Sequence, residues 1–191
     1  MTAKVTQQYI ETSGIVGVKT RRVTQQYIEP AARERKVWDV TQFYIEAIGT
    51  EAVRAFFLFP NIEWIKGDQL KQAYVVFTAY ETLSEDLYLR LAFANTSTPT
   101  APASADELRS IETTSAAAYW TPGAWTEGNE YSTGHASLVA PMQEIVNRDD
   151  WEYGNSIMLI VDDAGADCLG HRRACSTEYQ NSVSAAYLCY R

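Results

Sequence analysis

The feature that most constrains this chain is a heptapeptide repeated three times near its start. Val5-Thr6-Gln7-Gln8-Tyr9-Ile10-Glu11 recurs unchanged as Val23-Thr24-Gln25-Gln26-Tyr27-Ile28-Glu29. A third copy, Val40-Thr41-Gln42-Phe43-Tyr44-Ile45-Glu46, differs only in carrying Phe43 at its fourth position. The copies begin 18 and 17 residues apart, shorter than solenoid units, so each amounts to one strand plus a connection. Val, Thr, Tyr and Ile favour a pleated strand. Period-two alternation then puts Val, Gln, Tyr and Glu on one face and Thr, Gln or Phe, and Ile on the other. Three such strands hold too few apolar side chains for a core of their own, and left unpaired they would template aggregation. They therefore pair with one another or occupy equivalent places on a symmetric assembly, the backbone supplying most of the recognition. The contacts of that assembly are expected at Val5, Tyr9, Ile10, Val23, Tyr27, Ile28, Val40, Tyr44 and Ile45. The plainer alternative is a small meander packed on the main body with no partner.

The chain as a whole has 191 residues, 46% hydrophobic and 21% charged, the balance of a globular protein rather than a disordered one. No run approaches the length of a membrane span, and Met1-Thr2-Ala3-Lys4-Val5-Thr6 is too polar for a signal peptide, so no membrane role is expected. A net charge of -8 argues against general nucleic-acid binding, which needs a basic face. That charge is uneven: residues 1–50 carry seven basic against five acidic groups, and the remainder nine against nineteen. A mildly basic leader on an acidic body suits docking of the leader on an acidic neighbour, another copy included, although a solvated surface explains the numbers equally well. Arg33-Glu34-Arg35-Lys36, after Pro30, reads as a solvated connector. Cys168, Cys175 and Cys189 are odd in number and read as reduced, with a Cys168–Cys175 bridge as the minority alternative.

Beyond residue 51 the chain offers further strands at 53–59, 72–79, 86–94, 156–161, 172–177 and 185–190, short, aromatic and β-branched between turn residues. Two packed sheets suit such a pattern. Asn95 to Ala105, rich in Thr, Ser, Ala and Pro, reads as a long surface loop. Leu138, Val139, Met142, Ile145 and Val146 fall at helical spacing, with Pro141 in the first turn and Ser137 as the cap. Trp125 and Trp151 are expected to cover that helix, and Glu144 and Arg148 to form an i,i+4 surface ion pair. The fold expected is all-β: a jelly-roll-like antiparallel β-sandwich with one short helix over residues 51–191, preceded by three repeated short strands in residues 1–50.

The segment Trp125 to Thr133, the run Gln143-Glu144-Ile145-Val146-Asn147-Arg148 with Trp151 and Gly154-Asn155, and the ending Arg172-Arg173-Ala174 with Ala185-Ala186-Tyr187-Leu188 resemble a jelly-roll module of bacterial cell-surface and phage proteins. That module is similar to carbohydrate-binding modules and to the disaggregatase-related repeat family, and the resemblance covers roughly residues 70–191. The heptapeptides, the second preceded by Arg21-Arg22, likewise resemble short repeated strands of tailed-phage structural proteins. The resemblance implies a virion component assembled in the host cytoplasm, and fixes architecture better than role.

A catalytic constellation is thin on the ground. The two histidines, His135 and His171, lie in no metal-binding spacing, and no nucleophile elbow or phosphate loop is present. Cys175 with His171 lacks a third, orienting group. Asp162, Asp163 and Asp167 could hold calcium at a loop, but acidic turns are usually just solvated, and no metal or cofactor is expected. Aromatic side chains available to stack on sugar rings are Tyr119, Trp120, Tyr131 and Tyr179. The expectation is thus a non-enzymatic bacteriophage virion protein, a head decoration, neck or tail appendage. It would join other virion proteins and a homo-oligomer, with a trimer as the first expectation. The alternative is a carbohydrate-binding module that recognises host surface glycans.

Overall fold

The computed structural model describes residues 54–135, 137–164, 172–175 and 185–191, and the backbone of three earlier strands. Those are β1 (Gln8–Ile10), β2 (Val18–Val23) and β3 (Thr41–Ala47). The body follows as β4 (Arg54–Phe59), β5 (Ala73–Thr78), β6 (Leu89–Phe93), α1 (Ala105–Ser110), β7 (Ala118–Trp120), β8 (Glu130–Ser132), α2 (Val139–Val146), β9 (Ile157–Asp163) and β10 (Tyr187–Tyr190). Two antiparallel sheets result, a seven-stranded one in the order β1-β2-β3-β4-β9-β6-β7 and a three-stranded one in the order β10-β5-β8. The chain is an all-β sandwich with two short helices.

Its central strands are apolar on both faces, and the alternation along them sorts side chains into two cores. Phe57, Phe59, Leu91, Phe93, Ile157 and Leu159 point inward against Ala73, Val75 and Phe77 of the small sheet and Met142, Ile145 and Val146 of α2. The intervening residues Phe56, Met158 and Ile160 point outward into a second core that Leu108 of α1 closes. Each large apolar side chain so buried contributes roughly 1.5–3 kcal/mol. Such two-sided burial is why β4 and β9 read as nearly unbroken apolar runs.

The strands at 53–59, 72–79 and 156–161 form as expected, within one or two residues at the ends. The stretch 86–94 contributes only Leu89–Phe93, and 185–190 only Tyr187–Tyr190. No strand forms over Arg172–Cys175, where Ala174 makes a single bridge to Ala79. The guanidinium of Arg172 instead donates to the carbonyls of Glu85 and Gly123.

Three local expectations are corrected. Ser137 does not cap α2: Leu138 holds the cap position, and Ser137 Oγ donates to the Gly134 carbonyl within the preceding turn. Glu144 and Arg148 do not pair. Arg148 forks onto Asp150, 2.9 and 3.1 Å, while Glu144 accepts from Ser115 N, Ala116 N and Ser115 Oγ ahead of β7. Finally, the Pro-rich stretch ends in a helix, because Ser104 Oγ accepts from Glu107 N and starts α1. Trp151 and Trp125 are both buried in the inner core, as packing residues. The ring neighbours of Trp125 are Phe77, Trp120 and Tyr131.

Candidate functional site

Two surfaces stand at opposite ends of the large sheet, the repeat strands at one and β7 at the other. At the repeat end, the first copy supplies β1 and the third supplies most of β3, and both pair with β2, the segment Val18–Val23 that lies between copies. The first and third copies therefore meet through an intermediary rather than directly. Tyr9 and Tyr44 are both opposite Arg21, and Ile10 and Ile45 both opposite Thr20. Val23, the first residue of the second copy, is opposite Gln42. Val5, Tyr27, Ile28 and Val40 lie outside the described residues.

Beyond β3 the sheet passes into the body through the pairs Thr41–Leu58, Gln42–Phe57 and Phe43–Phe56. Phe43, the one change in the repeat, thus stands in a cross-strand row with Phe56, Ile160 and Ala92. In the first copy the same position is Gln8, opposite Arg22. The substitution thus falls in the one copy that is aligned with the buried residues Phe56 and Ile160 of the body, a placement hidden until the register is known.

At the other end, the outer face carries a charged row and an aromatic pair. Arg54, Asp162 and Arg90 are direct cross-strand neighbours on β4, β9 and β6. Arg54 Nε donates to Asp162 Oδ1 at 2.6 Å and Arg90 Nη1 to Oδ2 at 3.1 Å, all three groups being largely buried. Arg54 Nη1 also reaches the carbonyls of Leu108, Arg109 and Ile111, satisfying the open end of α1. Two guanidinium groups on one carboxylate leave Asp162 unsuited to calcium, and it lies in a strand rather than the expected loop. Asp167 is outside the described residues. Among those described, no group of three metal-binding side chains gathers.

Next to this row Tyr119 of β7 stacks on Tyr88, ring centroids 5.6 Å apart and planes 19° off parallel, and the two are 58% and 37% exposed. Of the aromatics expected to meet sugars, Tyr119 alone among the described residues is presented in this way. Trp120 stacks on Phe77 at 5.7 Å against the inner core. Tyr131 stacks on Trp125 at 5.1 Å, and its hydroxyl accepts from Thr126 N, which holds the phenol below its usual range despite the opposing pull of burial. Tyr179 lies outside the described residues. Tyr88 was not anticipated. Its signal was the alternation Tyr88, Arg90 against Leu89, Leu91, which sets Tyr88 on the outward face.

Cys175 is a free, buried thiol, pushed above its usual range first by burial and then by Glu127, the reverse of an activated nucleophile. His171 lies outside the described residues. Cys189 is also free. No helix among the described residues is long and apolar enough to cross a membrane. No protein-family model, curated protein or solved structure matches the chain.

Proposed function

We propose that this chain is a non-enzymatic structural protein of a tailed-bacteriophage particle, a sandwich body displayed on the virion and assembled through its N-terminal strands. The observation that carries the reading is the sheet itself: the repeat strands continue the body's large sheet from β4 outward, seven strands facing only three in the second sheet. A sheet that ends in repeated strands of this kind presents an edge on which the same strand of another chain can pair. The resemblance of the heptapeptides to strands of phage structural proteins supplies the setting. Particles of the source phage, purified by density banding and digested for mass spectrometry, should yield peptides of this chain at a fixed ratio to the major capsid or tail protein. Their absence from intact particles would overturn the reading.

A second reading, host-glycan recognition, is favoured by the exposed Tyr88–Tyr119 pair beside Arg90 and Asp162. Aromatic faces stack on sugar rings. On that reading Tyr119→Ala abolishes glycan-array binding with the fold intact. Trp120→Ala, by contrast, weakens the fold, because its ring is packed on Phe77.

A further inference from the structure

The strand β2 is flanked on both sides by the same heptapeptide in the same register. Positions four, five and six of the first copy, Gln8, Tyr9 and Ile10, are opposite Arg22, Arg21 and Thr20. Positions four, five and six of the third copy, Phe43, Tyr44 and Ile45, are opposite the same three residues from the other side. The segment Val18–Val23 is therefore a two-sided acceptor for the heptapeptide, a role its own sequence does not advertise. Its two sides are unequal. The inner side holds the third copy through five residue pairs, and β3 is joined in turn to β4 of the body, Phe43 being opposite Phe56. The outer side holds the first copy through three pairs, and its fourth position is Gln.

We infer that the outer side of β2 is an exchange site that takes the heptapeptide of a second copy of this chain in place of its own. The inference rests on the assembly reading above and names its partner and contact. Exchange of identical strands conserves every hydrogen bond and cross-strand pair, so it costs no contact energy and is governed by concentration and chain entropy. The donor segment is identical in every copy of the chain, and the Gln-type heptapeptide occurs unchanged at 5–11 and 23–29. The third copy does not compete, since its strand is already paired with β4 of the body.

The test uses two full-length variants, Ile10→Cys and Thr20→Cys, since these positions are direct partners. Mixed and oxidised, they should give a non-reducing band at twice the 21.4 kDa of the chain, and peptide mapping should place the bond between positions 10 and 20 rather than at a native cysteine. Unsubstituted heavy- and light-isotope chains, mixed and weighed by native mass spectrometry, should form mixed oligomers, which guards against either substitution disturbing the strand. No covalent dimer in the mixture, with the double variant Ile10→Cys/Thr20→Cys closing its bond inside one chain, overturns the exchange. In that event a persisting oligomer of the unsubstituted chain leaves the assembly reading standing, whereas a monomer overturns that too.

Discussion

At the scale of single residues, the row Arg54–Asp162–Arg90 does more for the fold than its surface position suggests, because one carboxylate orients two guanidinium groups and one of these closes α1. Asp162→Ala leaves two cations with no counter-charge at sites that are largely shielded from water, and breaking such a pair by removing one partner costs about 3 kcal/mol. A urea melt should show the midpoint lowered at unchanged slope. Glu144 makes the pH-dependent contact. Burial raises its affinity for a proton, but the hydrogen bonds from Ala116 N, Ser115 N and Ser115 Oγ outweigh that and hold its carboxyl below the usual range. The unfolded chain therefore binds the proton more tightly than the native one. The contribution of Glu144 is complete above the ordinary carboxylate range and is lost as pH falls through it to the lowered native value. Glu144→Gln should lower the melting temperature at neutral pH and flatten its fall in acid, with the two curves converging at the acid end. Neither role was legible in the sequence: i,i+4 spacing offered Arg148 to Glu144, and Asp150, two residues on, took the arginine instead.

At the scale of elements, legibility followed burial. The strands β4, β5 and β9 carry enough consecutive apolar residues to be read directly, since both or most of their faces are covered. The three-residue strands β7 and β8 are too short to show alternation, and their pairing is decided by β6 and β5. The helix α1 buries a single residue, Leu108, so periodicity could not reveal it. Its start was nonetheless written as Ser104-Ala105-Asp106-Glu107, a capping sequence with a carboxylate three residues after the serine. The repeat shows the same limit. Its strand character was plain, but the acceptor β2 and the meaning of Phe43 depended on register, which side-chain pattern alone does not fix across non-adjacent segments. Making the third copy identical to the others, by Phe43→Gln, replaces an aromatic cross-strand partner of Phe56 with an amide and should cost about 0.5–1 kcal/mol. Amide exchange in β4 should quicken, with α2 and the small sheet unaffected. Equal protection in both proteins would show that the third copy is not distinguished by its phenylalanine.

At the scale of the whole molecule, the described body carries a hydrophobic interior in two parts. The inner core draws on β4, β5, β6, β9 and α2 and the outer one on β4, β9 and α1, while the leader strand β3 pairs with one edge of β4. Removing residues 1–50 uncovers that edge, with Phe57 and Phe56 losing their cross-strand partners. The truncated chain should unfold in one cooperative transition at a moderately lower temperature, the loss being a few cross-strand pairs at about 0.2–1 kcal/mol each. Light scattering should find it monomeric at concentrations where the full chain is a symmetric oligomer. A truncated chain that still associates would place the interface on the body, at β7 or the Tyr88–Tyr119 pair. A truncated chain that fails to fold would mean that the leader strands complete the sandwich itself, and the sheet would then have to be understood as one indivisible unit from β1 to β7.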